Sequence, residues 1–278
     1  MIGTGKDMTS AKIVADSINE DGDRITSFEV CFPRFILAEM NTHRVFSRNS
    51  ASSRAIPTSK LVAMVRENPV VPEFGRNQAG MVASEQINAS RAAIAARLWK
   101  DAAAYNASVA ETMAQLKVHK QAVNRILEPF LWHTVLITAT TFENFFLLRC
   151  APDAQPEMQK VAFAMRDAYQ QSIPVPIPHG GWHIPYGDGI HDDEDARIRS
   201  IAQCARLSTV RQHEQRPIED ERAMVESLER SGHWSPFEHI AQSSPGRHAN
   251  YTGWISERSL REEMRIDEPE QDVKSLGF

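Results

Sequence analysis

The apolar patterns along the chain constrain its fold most strongly. Residues 11–17 and 25–33 are β-branched or aromatic runs separated by the turn-like segment EDGD, which predicts two neighbouring strands, such as a β-hairpin. Residues 84–118 are instead rich in Ala, with apolar residues at a spacing near 3.6, which predicts a long helix. Together these patterns predict an α+β chain with a small antiparallel sheet and several long helices.

The remaining segments predict mostly helix. The Pro- and Gly-rich stretch 172–190 is predicted to be a linker. It separates a core over residues 1–175 from a part over residues 176–278, which we expect to pack into the same domain. Helices are predicted over residues 34–41, 60–67, 121–128, 130–149, 156–171, 192–207 and 218–231, and a loop over residues 47–59.

The composition argues against several classes of protein. The 278 residues are 42% hydrophobic and 24% charged, which is typical of a globular protein, and the net charge of −5 disfavours a general nucleic-acid binder. The cysteines Cys31, Cys150 and Cys204 form no CxxC pair, which predicts neither a metal site nor a disulfide framework. With no signal segment and no uninterrupted apolar span, we expect a cytoplasmic protein without a membrane partner.

A polar segment over residues 42–54 carries the first candidate chemistry. It contains three arginines, one histidine and four serines in thirteen residues. Guanidinium groups match the geometry of phosphate and carboxylate, and hydroxyls and loop amides complete an anion cradle. The pattern therefore indicates either a site for a phosphorylated ligand or a solvated polar loop, and composition alone leaves both open.

Two further segments add candidate groups. Arg125 and Arg149 bring cations onto apolar segments, and a buried arginine needs an anionic partner, which is either a structural carboxylate or a ligand. The segment GHWSPFEH, which ends at His239, follows a predicted helix and by itself indicates a capped turn.

These segments together resemble the flavin-dependent thymidylate synthase (ThyX) family. Six residues of segment 42–54 match the family signature RHRxxSxNxxSxR, and Arg125 and Pro129 match RxxxP. NFFLLR over residues 144–149 resembles NFLxLR, and CARLS and GHWSPFEH resemble ARxSY and GHxSPFEH. In most members these last two segments precede the signature, so the motif order here resembles a circular permutation. The six signature matches are His43, Arg44, Ser47, Asn49, Ser52 and Arg54.

The resemblance implies a ThyX-like fold and the reductive methylation of dUMP to dTMP. Methylenetetrahydrofolate would supply the carbon, FAD would be the cofactor and NADPH the reductant, in a homotetramer with sites at subunit interfaces. Arg149 would be catalytic, because a cation at the pyrimidine edge stabilises negative charge that builds on the ring. The resemblance assigns cofactor binding to His43, Arg44, Ser47, Asn144 and His239, and substrate binding to Ser52, Arg54, Arg125, Arg149 and Gln155; it implies no metal.

Two departures from the family pattern keep other functions open. Thr42 stands where the signature has its first arginine, and Ser50 replaces a frequent glutamate. One alternative is flavin- and folate-dependent hydroxymethylation or methylation of dUMP or dCMP for modified DNA. The other is a non-catalytic nucleotide-binding protein that has lost the flavin chemistry.

Overall fold

A five-stranded sheet forms the centre of the computed structural model, which describes residues 5–83, 85–187 and 193–266. The strand order is β3-β4-β2-β1-β5, and every neighbouring pair is antiparallel except the pair of β1 and β5. The β1–β2 hairpin is the one that the sequence predicts. The strands are β1 (Ser10–Asn19), β2 (Arg24–Pro33), β3 (Ser47–Ser50), β4 (Trp132–Ala139) and β5 (Val175–Ile177).

The helices occupy both faces and one end of this sheet. A second, three-stranded sheet has the order β6-β7-β8, with β6 at Trp182–His183, β7 at Ala241–His248 and β8 at Tyr251–Ser256. The helices are α1 (Leu37–Met40), α2 (Thr58–Glu67), α3 (Ala89–Gln115), α4 (Lys120–Val123), α5 (Glu143–Arg149), α6 (Pro156–Gln171), α7 (Glu194–Arg206), α8 (Ile218–Arg230) and α9 (Glu257–Ile266). Among the described residues, none of these helices is long and apolar enough to cross a bilayer.

The two faces of the central sheet are covered by different parts of the chain. Alternate residues of a strand point to opposite faces, and Phe28 and Val30 on β2 pack against Met158 and Val161 of α6. On the other face, Leu136 of β4 packs against α7 and against the 3-10 segment 235–238. The C-terminal part therefore forms one of the layers that bury the sheet.

A third apolar cluster lies at the end of the sheet and supports the polar segment. Ala103 and Ala107 of α3 pack against Leu61 of α2, where their small side chains permit close approach of the helices. Ala51 and Ile56 are buried in the same cluster. The polar turn between these two residues is thus anchored at both ends.

The prediction of one helix over residues 130–149 is wrong. Residues 132–139 form β4, and only residues 143–149 are helical, as α5. The strand carries β-branched residues at positions 134, 135, 137 and 138, whose stiff side chains suit a pleated sheet, and it pairs with β2 over eight residues.

Two segments that the sequence assigns to loops also contain strands. Residues 47–50 of the predicted loop 47–59 form β3 on the edge of the sheet. The predicted linker 172–190 contains β5 and β6, because it pairs with β1 on one side and β7 on the other. Residues 188–190 of that linker lie outside the described residues.

Candidate functional site

His43 is held in a neutral form at the start of the polar segment. Its ring stacks on Phe46 and meets the edge of Phe145, and its Nε2 accepts a hydrogen bond of 2.9 Å from Nε of Arg149. A guanidinium donates only, so Nε2 carries a lone pair and Nδ1 carries the hydrogen. Burial and the charges of Arg149 and Arg48 lower the pKa of His43 to about 4.

Arg149, the predicted catalytic residue, ends α5 and contacts the helix and the turn that lead into the polar segment. Besides its bond to His43, it forms an ion pair with Glu39, and its Nη2 donates to the Thr42 hydroxyl at 3.2 Å. The Thr42 hydroxyl in turn donates to the Glu39 carbonyl at 2.8 Å. Thr42, the departure from the signature, is therefore part of the support of Arg149, and Glu39 is a residue that sequence reasoning missed.

Glu128 organises a second group of cations. Its Oε1 accepts hydrogen bonds from Ser53 at 2.6 Å, from Arg125 at 2.9 Å and from Arg34 at 3.2 Å. Burial acts to raise the pKa of Glu128, but the Ser53 hydrogen bond and the two arginines outweigh it and lower that pKa below its usual value. Glu128 was not predicted as a site residue, although it stands inside the RxxxP match.

Asn124 fixes the turn that carries Ser52 and Arg54. Its side chain is fully buried and donates to the carbonyls of Ser53 at 2.6 Å and Ile56 at 3.0 Å. It also accepts the Thr58 hydroxyl at 2.7 Å. These three bonds lock the backbone of the turn against the segment that carries Arg125.

The cations at this turn exceed the nearby negative charge. Arg54 is exposed, and no ion pair holds it within the described part of the chain. Lys120 reaches the same turn, where its Nζ donates to the Ala55 carbonyl at 2.9 Å. Lys120 was also missed, and its only sequence signal is its place five residues before Arg125.

The separated motif segments meet along β3 and β4. The Asn49 side chain donates to the Cys204 carbonyl and accepts a 3.5 Å bond from Ser235, and the Ser52 amide donates to the Ser208 carbonyl at 2.8 Å. The segments CARLS and GHWSPFEH therefore both contact the polar segment, although each lies more than 150 residues away in sequence.

The other predicted site residues differ in their exposure to solvent and in their contacts. Arg44 and Asn144 are exposed, whereas Ser47 and His239 are buried. Gln155 lies at the start of α6, where its Nε2 donates to Glu157 at 3.0 Å. The structure brings together the polar segment, Arg125 and Arg149 with their carboxylates, and it places Gln155 in a different set of contacts.

The site is open to solvent. Two described cavities, of about 530 Å³ and 700 Å³, are lined by residues other than the predicted ones. Next to Arg149, the side chain of Leu147 is 74% exposed, and Leu148 and Val45 are also exposed. An apolar, uncovered surface thus adjoins the cationic groups.

Comparisons with known proteins bear on the family and the fold of the chain. A family model described as "Thymidylate synthase complementing protein" matches residues 25–175, more than half of the chain. A UMP/dUMP methylase PolB from Streptomyces cacaoi bound with 5-Br UMP superimposes with a TM-score of 0.52 at 14% identity, over 60% of this chain and 90% of that one. The same enzyme bound with 5-Br dUMP gives 0.49 at 13%, over 60% and 91%.

No curated protein matches the chain. At 14% identity, the structure with the TM-score of 0.52 establishes the fold alone, and it confirms the predicted α+β, ThyX-like class. The family model matches the region that contains the polar segment, Arg125 and Arg149. The resemblance seen in the motifs is therefore confirmed, and the chain belongs to the thymidylate synthase complementing protein family.

Proposed function

We propose that this chain converts dUMP to dTMP by reductive methylation, with methylenetetrahydrofolate, FAD and NADPH. The observation that carries the proposal is the cationic turn at residues 52–56. Arg54, Lys120 and Arg125 surround it, and Glu128 offsets only part of their charge. Such a turn suits the dianionic phosphate of a nucleotide monophosphate, to which guanidinium groups bind as forks.

The substrate roles follow from the two groups of contacts. Arg54 and Arg125 bind the phosphate, with the Ser52 hydroxyl as a further donor. Arg149 lies at the pyrimidine edge, where it donates to a ring oxygen and stabilises negative charge on the ring. The Glu39 carboxylate beside it accepts the N3–H of uracil, so Arg149 and Glu39 together recognise one acceptor and one donor of the base. Gln155 is proposed as an additional substrate contact.

The residues assigned to FAD fit such a group. The Arg44 guanidinium is exposed and has no ion pair within the described part of the chain, and Nε2 of His239 is buried without a hydrogen-bond partner. A phosphate and a heteroaromatic ring would satisfy these two groups. His43, Ser47 and Asn144 complete the proposed set of residues that bind FAD. Because His43 is neutral, its ring would not repel a cationic group beside it. When bound, FAD would supply electron and one-carbon transfer.

The motif order and the exposed surface support two further parts of the proposal. The C-terminal segments lie against the polar segment, which is the arrangement that a circular permutation of the family pattern requires. Val45, Leu147 and Leu148 beside Arg149 offer an apolar surface that a second copy would cover. We therefore propose a homotetramer in which neighbouring subunits close the site.

The first test is the visible absorption spectrum of the purified protein after incubation with FAD and removal of the excess. Turnover of dUMP and dCMP is then measured with the mass of each product. We expect retained flavin, a methyl product from dUMP and no turnover by a folded Arg149→Ala variant. Arg97→Ala is the matched control, because Arg97 is exposed on α3 and its ion pair within the described residues is with Asp101 of its own helix.

The other outcomes would replace the proposal. A hydroxymethyl product, or turnover of dCMP alone, would assign the chain to nucleotide modification for altered DNA. Tight nucleotide binding without retained flavin would identify a non-catalytic nucleotide-binding protein. Full activity of Arg149→Ala would remove Arg149 from the reaction.

A further inference from the structure

A chain of hydrogen bonds runs through the buried layer between the central sheet and the C-terminal part. Ser17 contacts Nδ1 of His183 at 2.9 Å, and Nε2 of His183 contacts Ser27 at 2.8 Å. Ser27 contacts Thr138 at 2.6 Å, and Thr138 contacts Nδ1 of His239 at 2.8 Å. We call these five residues the buried relay. It ends at Nε2 of His239, which is buried and has no hydrogen-bond partner among the residues that the structure describes.

The relay has two possible directions of donation. Both imidazoles are neutral near pH 7, because burial lowers the pKa of His183 and of His239 to about 3. A neutral imidazole carries one N–H and one lone pair, and each hydroxyl donates once. All the hydrogens therefore point along the relay together, either toward His239 or toward Ser17.

Counting the unpaired donors selects one direction. If the hydrogens point toward His239, its Nδ1 accepts from Thr138 and its Nε2 carries the N–H, which is the one donor left unpaired. If they point toward Ser17, the buried Ser17 hydroxyl needs another acceptor, and its hydrogen-bond partner within the described residues is His183. Nε2 of His239 would then also be an unpaired acceptor, which makes this direction the costlier one.

The position of His183 explains why the relay holds this direction. Thr138 by itself could either donate to His239 or accept from it. His183 accepts from Ser17 and donates to Ser27, so the Ser27 hydroxyl must donate to Thr138, and the Thr138 hydroxyl must donate to His239. A buried, continuous network of this kind specifies one arrangement more strongly than its separate pairs would.

We propose that His183 is a positioning residue, which acts through Ser27 and Thr138 to hold His239 in the tautomer with hydrogen on Nε2. The role of that N–H as a donor to the bound cofactor rests on the proposed function. The tautomer itself follows from the relay alone. His183 belongs to the segment predicted as a linker, and under this proposal that segment contributes a positioning residue to the site.

The test uses the full chain with 15N-labelled histidine and reads the imidazole nitrogens by two-bond 1H–15N correlation. His239→Gln assigns the His239 signals. We expect the Nε2–H tautomer in the wild-type protein, and a mixture that includes Nδ1–H in Ser27→Ala and in His183→Leu. Ser243→Ala is the matched control, because Ser243 is a buried serine of β7 whose hydroxyl has no hydrogen-bond partner in the described part of the chain.

Each result decides the inference. An Nδ1–H tautomer in the wild type, or an unchanged tautomer in Ser27→Ala, overturns it, and Ser27→Ala provides the answer even if His183→Leu does not fold.

FAD affinity is the second readout, and we expect it to fall about fivefold in Ser27→Ala relative to Ser243→Ala, as the weakening of one hydrogen bond implies. Equal affinities with a changed tautomer would overturn the role of the N–H toward the cofactor. A wild-type protein that binds no FAD would instead remove the proposed function, and the tautomer measurement would still stand.

Discussion

Three of the buried histidines predict that the folded chain loses a large part of its stability in mild acid. Burial lowers the pKa of His133, His183 and His239 to about 3 each, and the Arg34 guanidinium adds to this effect at His133. In the unfolded chain a histidine has a pKa of about 6.5. As the pH falls below that value, the unfolded state takes up protons that the folded state does not, so the free energy of unfolding decreases.

The size of the effect follows from the same values. Between pH 7 and pH 5, each of these histidines lowers the free energy of unfolding by about 2 kcal/mol, since the folded pKa lies below the whole interval. The three together remove about 6 kcal/mol, against a total stability of roughly 5–15 kcal/mol for a typical domain.

Urea unfolding followed by circular dichroism at pH 7, 6 and 5 measures this loss. His133→Gln removes one of the three groups, so we expect its loss between pH 7 and pH 5 to be smaller than that of the wild type by about 2 kcal/mol. His233→Gln is the matched control and should keep the wild-type dependence, because its ring is exposed. A wild-type stability that is equal at pH 5 and pH 7 would refute the reasoning.

Three further predictions concern single contacts. Arg206→Leu leaves the Glu221 carboxylate buried and unpaired, so it should lower the free energy of unfolding by about 3–5 kcal/mol in urea. Adding Glu221→Leu should restore most of that loss, and no restoration would contradict the ion pair. Asn124→Ala removes three hydrogen bonds, two of them buried, and should lower the free energy of unfolding by roughly 3 kcal/mol, measured in the same way; a change under 0.5 kcal/mol would show that Asn124 does not stabilise the turn. Glu39→Gln replaces the carboxylate that pairs with Arg149 and accepts the N3–H of uracil, so it should weaken dUMP binding in equilibrium dialysis by about 1 kcal/mol, or roughly fivefold; tighter binding would show that the carboxylate does not contact the base.

Local patterns predicted the parts of the fold that depend on nearby residues. The hairpin of β1 and β2 and the helices α2, α3, α6, α7 and α8 follow from alternation, periodicity and end signals within each segment. The strand β4 did not, because a short apolar run fits a buried strand as well as a helix. Its pairing with β2, more than 100 residues earlier, decides between the two.

The residues of the candidate site likewise fall into those that local sequence patterns indicate and those that depend on long-range contacts. The motif residues on the polar segment, Arg125 and Arg149 became candidates because their types and spacing are visible in the sequence. Glu39 and His183 were missed, because their partners Arg149 and Ser27 lie 110 and 156 residues away. A carboxylate or a histidine becomes part of a site through such long-range contacts, and no local pattern reports them.

The order in which the layers of the central sheet occur along the chain has a consequence for synthesis. β4 is complete at residue 139, but α7, which covers the face of Leu136, ends only at residue 206. At about 5–20 residues per second, a ribosome needs roughly 3–13 seconds to make the residues between these points. During this time one face of the nascent sheet stays exposed to solvent. A fragment that ends at residue 175 should keep that face exposed and should therefore aggregate.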